Sequence, residues 1–302
     1  MRKLKMALSG LLALGVALVG SQVPAQAAGS KAPGFVPIVI TDQASGSIRN
    51  HQPVVSAIKP PQKPLLGGST SARLAGLQYF YAGMNRSQAG ITASSGNLDV
   101  VSNTVDGTDF HSLTEVSVQD ANGNIVEFGF HNGPDYWSGD QTLRLFSGAW
   151  KAGVGFLGYN TCADNSANPV NIGSSIAAAT GTLKTFSISY VSGKWWLYYD
   201  TAYVCSFDNT AVFGGNFSSG SVTQVFGEVA ANCATPTTGM GKNALPLTSS
   251  SARLSSWTIN SALPTGAFSP VISDASKYNF AFAGTSTRSG YYGGPGATGS
   301  PC

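Results

Sequence analysis

From residue 76 onward the sequence is a succession of short runs in which apolar residues alternate with polar or small ones, each stopped by a turn signal. Successive residues of an extended chain point to opposite faces, so a period of two marks strands with one buried face. The runs are Leu77–Tyr81, Leu98–Ser102, Leu113–Gln119, Ile125–His131, Leu143–Trp150, Leu183–Val191, Trp195–Tyr199, Ala202–Phe207, Val222–Ala230, Arg253–Ile259 and Tyr278–Ala283. Between them stand Asn122-Gly123, Asn132-Gly133-Pro134, Ser192-Gly193 and Gly214-Gly215. Asn122-Gly123 predicts a type I′ hairpin, and Ser192-Gly193 another tight turn. Only Ile172–Thr180 offers a short helix candidate. About eleven short strands without a sustained helical period predict an all-β protein, an antiparallel β-sandwich of two stacked sheets with little helix.

The ends of the chain differ from this middle. Arg2, Lys3 and Lys5 precede an apolar run, Ala7 to Gly20, and an A-x-A site at Ala25-Gln26-Ala27. This is the pattern of a signal peptide over 1–27, and it predicts secretion after cleavage at Ala27. Losing those three residues lowers the 17 basic residues to 14, equal to the 14 acidic ones. The mature chain is thus near neutral, which argues against a nucleic-acid partner, and no second apolar stretch is long enough to span a membrane. Residues 28–75 hold six prolines and favour extended backbone. They read as a linker, or as a pro-segment that blocks a cleft until it is removed. The strand-rich domain is taken as 76–288, and the Gly-rich residues 289–302 as a flexible tail. Four cysteines, Cys162, Cys205, Cys233 and Cys302, are expected to form disulfides in an exported chain. Cys162–Cys205 is the favoured pair, since both lie in the strand-rich region. The expected protein is a monomer.

The residues narrow the chemistry mainly by exclusion. There are three histidines, His51, His111 and His131, and neither an H-E-x-x-H zinc motif nor a G-x-S-x-G elbow. His111 and His131 read as surface or strand-end residues. No metal or cofactor is expected, and bridged cysteines do not serve as nucleophiles. Carboxylates remain. The chain has only three glutamates, Glu115, Glu127 and Glu228, and Glu127 stands inside an apolar strand pattern. A carboxylate in such a place is paired, solvated or used. By strand parity Ile125, Glu127, Gly129 and His131 share one face, as do Val222, Gln224, Phe226 and Glu228. Gly129 and Gly227 would let a backbone or a substrate come close. If the two faces meet, two carboxyls share a cleft, and one holds a proton while the other acts as base. Such a pair fits a peptidase or a glycosidase. Exposed aromatics and low charge equally fit a non-catalytic carbohydrate-binding or adhesion sandwich.

Seven fragments in order then resemble one family. Leu113-Thr114-Glu115-Val116-Ser117-Val118, Ile125-Val126-Glu127-Phe128-Gly129-Phe130 and Gly139-Asp140-Gln141-Thr142-Leu143-Arg144-Leu145-Phe146 are similar to S-L-x-Q-x-W, I-E-A-G-W and Y-G-D-x-x-T-R-L-F of the neprosin family of glutamic peptidases. Gly158-Tyr159-Asn160-Thr161-Cys162, Gly193-Lys194-Trp195-Trp196-Leu197, Gln224-Val225-Phe226-Gly227-Glu228-Val229 and Thr237 to Pro246 continue the series. Gly158 replaces a family cysteine, Val225 a tryptophan, Phe226 a glycine and Ala244 a histidine. The resemblance implies a β-sandwich with catalytic Glu127 and Glu228, peptide-bond hydrolysis after proline, an acidic optimum and a zymogen. The substrate is then a peptide or protein, proline-rich in keeping with that preference. Gln224 is a candidate for positioning water or the oxyanion. Tyr136 and Trp137 are candidates for a subsite wall, because aromatic faces suit proline rings. Trp195 or Trp196 reads as core, since adjacent strand residues face opposite ways.

Overall fold

The computed structural model of the chain describes residues 78–107, 109–134, 136–137, 139–163, 170–177, 182–231, 233–264 and 266–298. The expected signal peptide, the Pro-rich segment 28–75 and Cys302 lie outside them. Two antiparallel sheets make up the fold. The first runs, in spatial order, β13 (Ser269–Ile272), β1 (Gln78–Ile91), β10 (Gly220–Ala231), β3 (His111–Gln119), β4 (Ile125–Asn132), β5 (Arg144–Lys151) and β6 (Gly155–Tyr159). The second runs β11 (Met240–Gly241), β15 (Gly290–Gly294), β12 (Ala252–Ile259), β2 (Ala93–Asp99), β7 (Leu183–Val191), β8 (Lys194–Tyr199) and β9 (Ala202–Asp208), with β14 (Asn279–Phe282) beside β15. The all-β sandwich expected from the alternation is therefore the fold.

Parity decides which side chains form the core. Val116 and Val118 of β3, Val126, Phe128 and Phe130 of β4, and Val225 and Val229 of β10 are buried in one cluster with Phe186, Ile188, Trp195, Leu197 and Trp257 of the second sheet. Phe128 and Phe130 both meet the Phe186 ring, at centroid distances of 5.4 and 5.7 Å. Burying a phenylalanine of this kind stabilises the fold by about 1.5–3 kcal/mol. Gly96 leaves room for Trp257, since a Cβ there would sit 2.0 Å from the indole. The Trp257 Nε1–H donates to Ser94 Oγ at 2.8 Å, and Ser94 in turn meets Thr223 across the two sheets at 2.6 Å. Trp195 is the one of the tryptophan pair that enters this core, and Trp196 is buried outside it.

Several local expectations need correction. Ser192 and Gly193 have φ of 51° and 81°, the pair of positive values that a type I′ turn requires, and Val191 pairs with Lys194. Asn122-Gly123 does not repeat this. Gln119 pairs with Ile125, so five residues form the loop, and of the Asn-Gly pair only Gly123 has a positive φ. The Asp120 carboxylate organises this loop instead, accepting from the Asn122 and Asn124 backbone N–H groups at 2.8 and 2.9 Å. The described part of the Ile172–Thr180 candidate, residues 172–177, is not helical; Ile172 and Gly173 turn and Ser175 bridges to Arg144. A short helix α1, Asn209–Phe213, forms elsewhere, capped by Asp208, whose side chain accepts from Ala211 N–H. Residues 290–294 are not a flexible tail. They form β15, and the Tyr292 ring is fully buried, its hydroxyl 2.7 Å from Thr114 Oγ1. Their Gly-rich composition hides the strand, which exists because neighbours pair on both sides of it.

The edges are stapled. β6 ends the first sheet and β9 the second, and Cys162–Cys205 joins the chain just after β6 to β9. This is the pair favoured by the sequence. Cys233 is disulfide-bonded as well. Over a sequence separation of 43 residues, loop closure alone is worth about 4 kcal/mol. The double variant Cys162→Ala/Cys205→Ala is expected to lose about 2–4 kcal/mol of unfolding free energy, read by chemical denaturation. An unchanged midpoint would mean that the sheet edges hold without the staple.

Candidate active site

The side of the first sheet that faces away from the second carries three successive cross-strand rows. One row is Tyr81, Glu228, Leu113, His131 and Arg144. The next is Gly83, Phe226, Glu115, Gly129 and Phe146. The third is Asn85, Gln224, Ser117, Glu127, Gly148 and Tyr159. Each row holds one glutamate, and together they hold every glutamate in the chain. All three are buried. Parity alone places them on this face, because the alternate residues of β3, β4 and β10 are committed to the core.

Each acid has different company. Glu127 Oε1 accepts from the Trp150 Nε1–H at 2.8 Å. Its Oε2 lies over Gly148, where a Cβ would come within 2.4 Å of it. Glu228 Oε1 is 3.2 Å from His111 Nε2. Glu115 Oε1 has no hydrogen-bond partner among the described residues. An aromatic group flanks the acids. His131 stacks on Phe146 at 5.0 Å and accepts from the Trp137 Nε1–H at 2.8 Å. The Tyr159 ring stands edge-on to His111 at 6.5 Å and to Tyr136 at 5.3 Å.

Burial sets the protonation of this site. It pushes the Glu127 carboxyl up from 4.5 to about 8; the Glu228 charge adds to the rise, while Trp150 and His111 oppose it. Burial also holds Glu115 well above the usual carboxylate range, followed by the charges of Glu127 and Glu228. At neutral pH and below, the site therefore contains carboxylic acids able to donate a proton or a hydrogen bond. That is the arrangement acid–base hydrolysis needs.

The neprosin family model matches residues 108–295, which include all three acids. The chain belongs to the neprosin family of glutamic peptidases. As a member of that family it is a peptide hydrolase. No curated protein matches this neprosin-family chain in sequence. Among solved structures, scytalido-glutamic peptidase with a transition state analog inhibitor is similar over 72% of this chain and 99% of that one, at 12% identity and a TM-score of 0.43. SCP-B, an Eqolisin family peptidase in a complex with a tripeptide, is similar over 72% and 99%, at 12% identity and a TM-score of 0.35. Crh5 transglycosylase in complex with NAG is similar over 57% and 72%, at 12% identity and a TM-score of 0.31.

The other residues singled out in the sequence fall in different places. Gln224 lies in the Glu127 row, buried, with neither amide atom bonded to a described group. Tyr136 and Trp137 are half-buried beside His131 and Tyr159, at the edge of the face. Gly129 admits a backbone, since a Cβ there would meet Thr114 O at 2.0 Å. Gly227 faces the other way, where Tyr292 and Met240 would meet a Cβ at 2.6 and 2.8 Å, so it serves sheet-to-sheet contact and not the site. His111 is the main residue that sequence reasoning missed. It is buried against Glu228 and is not a surface residue. Its parity with Leu113, Glu115 and Ser117 along β3 was the available signal. Trp150 and Gly148 share parity with Phe146 along β5 in the same way.

Acids whose folded pKa is raised bind protons more tightly in the native chain than in the unfolded one. Between about pH 4.5 and pH 8 the unfolded chain has released the Glu127 proton and the native chain has not. Stability therefore falls as pH rises through this window, by up to about 1.4 kcal/mol per pH unit for each such group. Thermal unfolding across that range is expected to show the decline, and Glu127→Gln is expected to flatten it. A wild-type curve as flat as the variant's would contradict the buried-acid description.

Proposed function

We propose that this peptidase is a secreted endopeptidase that hydrolyses peptide bonds after proline at acidic pH, using Glu127 and Glu228. The observation that carries the reading is a proton-holding Glu127 on the same face as a Glu228 whose carboxyl is engaged by His111. Glu228, its carboxyl beside His111, takes a proton from water as the water oxygen attacks the scissile carbonyl carbon. The Glu127 acid donates a hydrogen bond to the carbonyl oxygen as that oxygen gains negative charge. On collapse of the tetrahedral species a proton passes to the departing nitrogen, the C–N bond breaks, and a carboxylic acid and an amine leave. General acid–base action of this kind contributes roughly 10²–10⁴-fold, and oxyanion stabilisation adds to it. The need to keep Glu127 protonated sets the upper limit of the working range, near pH 8, and the acidic optimum rests on the family resemblance. Gln224, two strands from Glu127 in the same row, has an uncommitted amide suited to the attacking water or the substrate backbone. The half-buried rings of Tyr136 and Trp137 offer apolar faces for a proline ring beside the cleft.

The test is hydrolysis of matched peptides with proline or alanine before the scissile bond, at pH 3–7, with polysaccharides as a control for glycosidase action. Glu127→Gln and Glu228→Gln are each expected to lower kcat by at least about 10²-fold. Peptide cleavage that survives both substitutions would sink the two-glutamate mechanism. Equal rates on the two peptides would remove the proline preference, and turnover of glycan alone would replace the peptidase reading.

The Pro-rich segment supplies the zymogen reading. Secreted protein is expected to begin at Ala28, and acid incubation to remove the segment before about residue 76 as activity appears. N-terminal sequencing beside an activity time course checks both. Full activity with residues 28–75 intact would make the segment a linker.

A further inference from the structure

We infer that Glu115 is a third working carboxyl of the site, a positioning residue that stands midway in register between Glu127 and Glu228 and holds them at their working separation. The inference rests on the two-glutamate reading above and concerns how that pair is held. Along β3, Glu127 stands opposite Ser117 and Glu228 opposite Leu113. The two glutamates are thus on the strands either side of β3 and four residues apart in register, so they do not face each other directly. Glu115 occupies the midpoint. It is one row from Glu127 in one direction and one row from Glu228 in the other.

In the row that holds Glu115, neighbouring backbone lies against two glycines. At Gly129 of β4, a Cβ would lie 2.0 Å from Thr114 O and 2.7 Å from Glu115 Cα. At Gly83 of β1, a Cβ would lie 2.2 Å from Val225 O and 2.5 Å from Phe226 Cα. Neighbouring backbones therefore close onto two glycines of the same row, one on each side of Glu115. Glu115 lies in that row, with the Glu127 row on one side and the Glu228 row on the other.

The groups around it favour a neutral acid. Glu127 faces it from β4 and Glu228 from β10, and His111 of β3 is engaged by Glu228. His131 of β4, Tyr159 of β6 and Tyr81 of β1 complete the titratable groups of these rows. Arg144 of β5 turns away, to Asp140 at 2.7 Å and the Gly173 carbonyl at 3.1 Å. Glu115 therefore keeps its proton between two carboxyls. A protonated carboxyl offers one O–H to donate and one carbonyl oxygen to accept, which a glutamine amide reproduces and a leucine does not.

The test uses the mature full-length enzyme and the variants Glu115→Gln and Glu115→Leu, measured for kcat, KM, pH profile and thermal unfolding. Glu115→Gln is expected to keep kcat within about threefold, since it preserves the hydrogen-bonding and neutrality. Glu115→Leu is expected to lower kcat by about 10–100-fold, the scale of a misplaced catalytic group, with KM little changed. Both variants remove a buried acid, so both are expected to melt higher than wild type near pH 8. Stability that rises while kcat falls separates a positioning role from a merely structural one. Wild-type kcat in Glu115→Leu would overturn the inference, as would a Glu115→Gln enzyme that folds but is as inactive as Glu115→Leu. If Glu115→Leu is fully active while Glu127→Gln and Glu228→Gln are dead, only this inference fails. If those two variants remain active, the two-glutamate reading fails first.

Discussion

The central strands of the first sheet can commit only one of their two faces to the second sheet. Everything about the site follows from that constraint. Val116, Val118, Phe128, Phe130, Val225 and Val229 must face Phe186, Ile188 and Trp257, because leaving them in water would forfeit the largest favourable term in folding. Once they do, Glu115, Glu127 and Glu228 have no choice of face. A one-residue slip of any of these strands would put a carboxyl into the core and a phenylalanine or valine into the site. The core therefore specifies the register, and the register delivers the acids.

Placing the acids together destabilises the charged state of each, and the surroundings distribute that strain unevenly. Glu127 receives one indole N–H from Trp150 and feels His111, yet burial and Glu228 push it towards the neutral form. Glu228 receives His111. Glu115 has carboxyls on both sides and, among the described residues, no bonded partner for Oε1. Carboxyls of one chemical type become inequivalent through their neighbours, which is how one is made a proton donor while another serves as base. The Cys162–Cys205 bridge and the buried Tyr292 hydroxyl on Thr114 lie at the margins of this arrangement and keep the sheets from separating beside it.

Where the sequence misled, the cause was pairing that no local signal carries. Asn122-Gly123 is a strong hairpin motif, yet the Asp120 side chain satisfies the loop's N–H groups and a longer turn results. Gly290–Gly294 has the composition of a linker and becomes a strand because β12 and β14 both pair with it. His111 begins a strand and looks exposed in one dimension, but two neighbouring strands place Glu228 beside it. Gly227 attracted attention as a gap in a strand next to a glutamate, and its gap is filled by Tyr292 from the other sheet.

By itself the sequence determined the all-β class, the strands β3, β4, β5 and β10 of the first sheet, the face on which Glu127 and Glu228 lie, and the family motifs that surround them. These depend on a period of two and on residue type, both of which are local. The order of strands was decided only by the tertiary structure: β10 beside β3, and β3 beside β4, although β10 lies a hundred residues further along the chain. So was the four-residue offset between Glu127 and Glu228, and with it the midpoint that Glu115 fills. Offsets between strands arise from which side chains interlock across two sheets and from where glycines let backbones close, and neither quantity is written in any one stretch of chain.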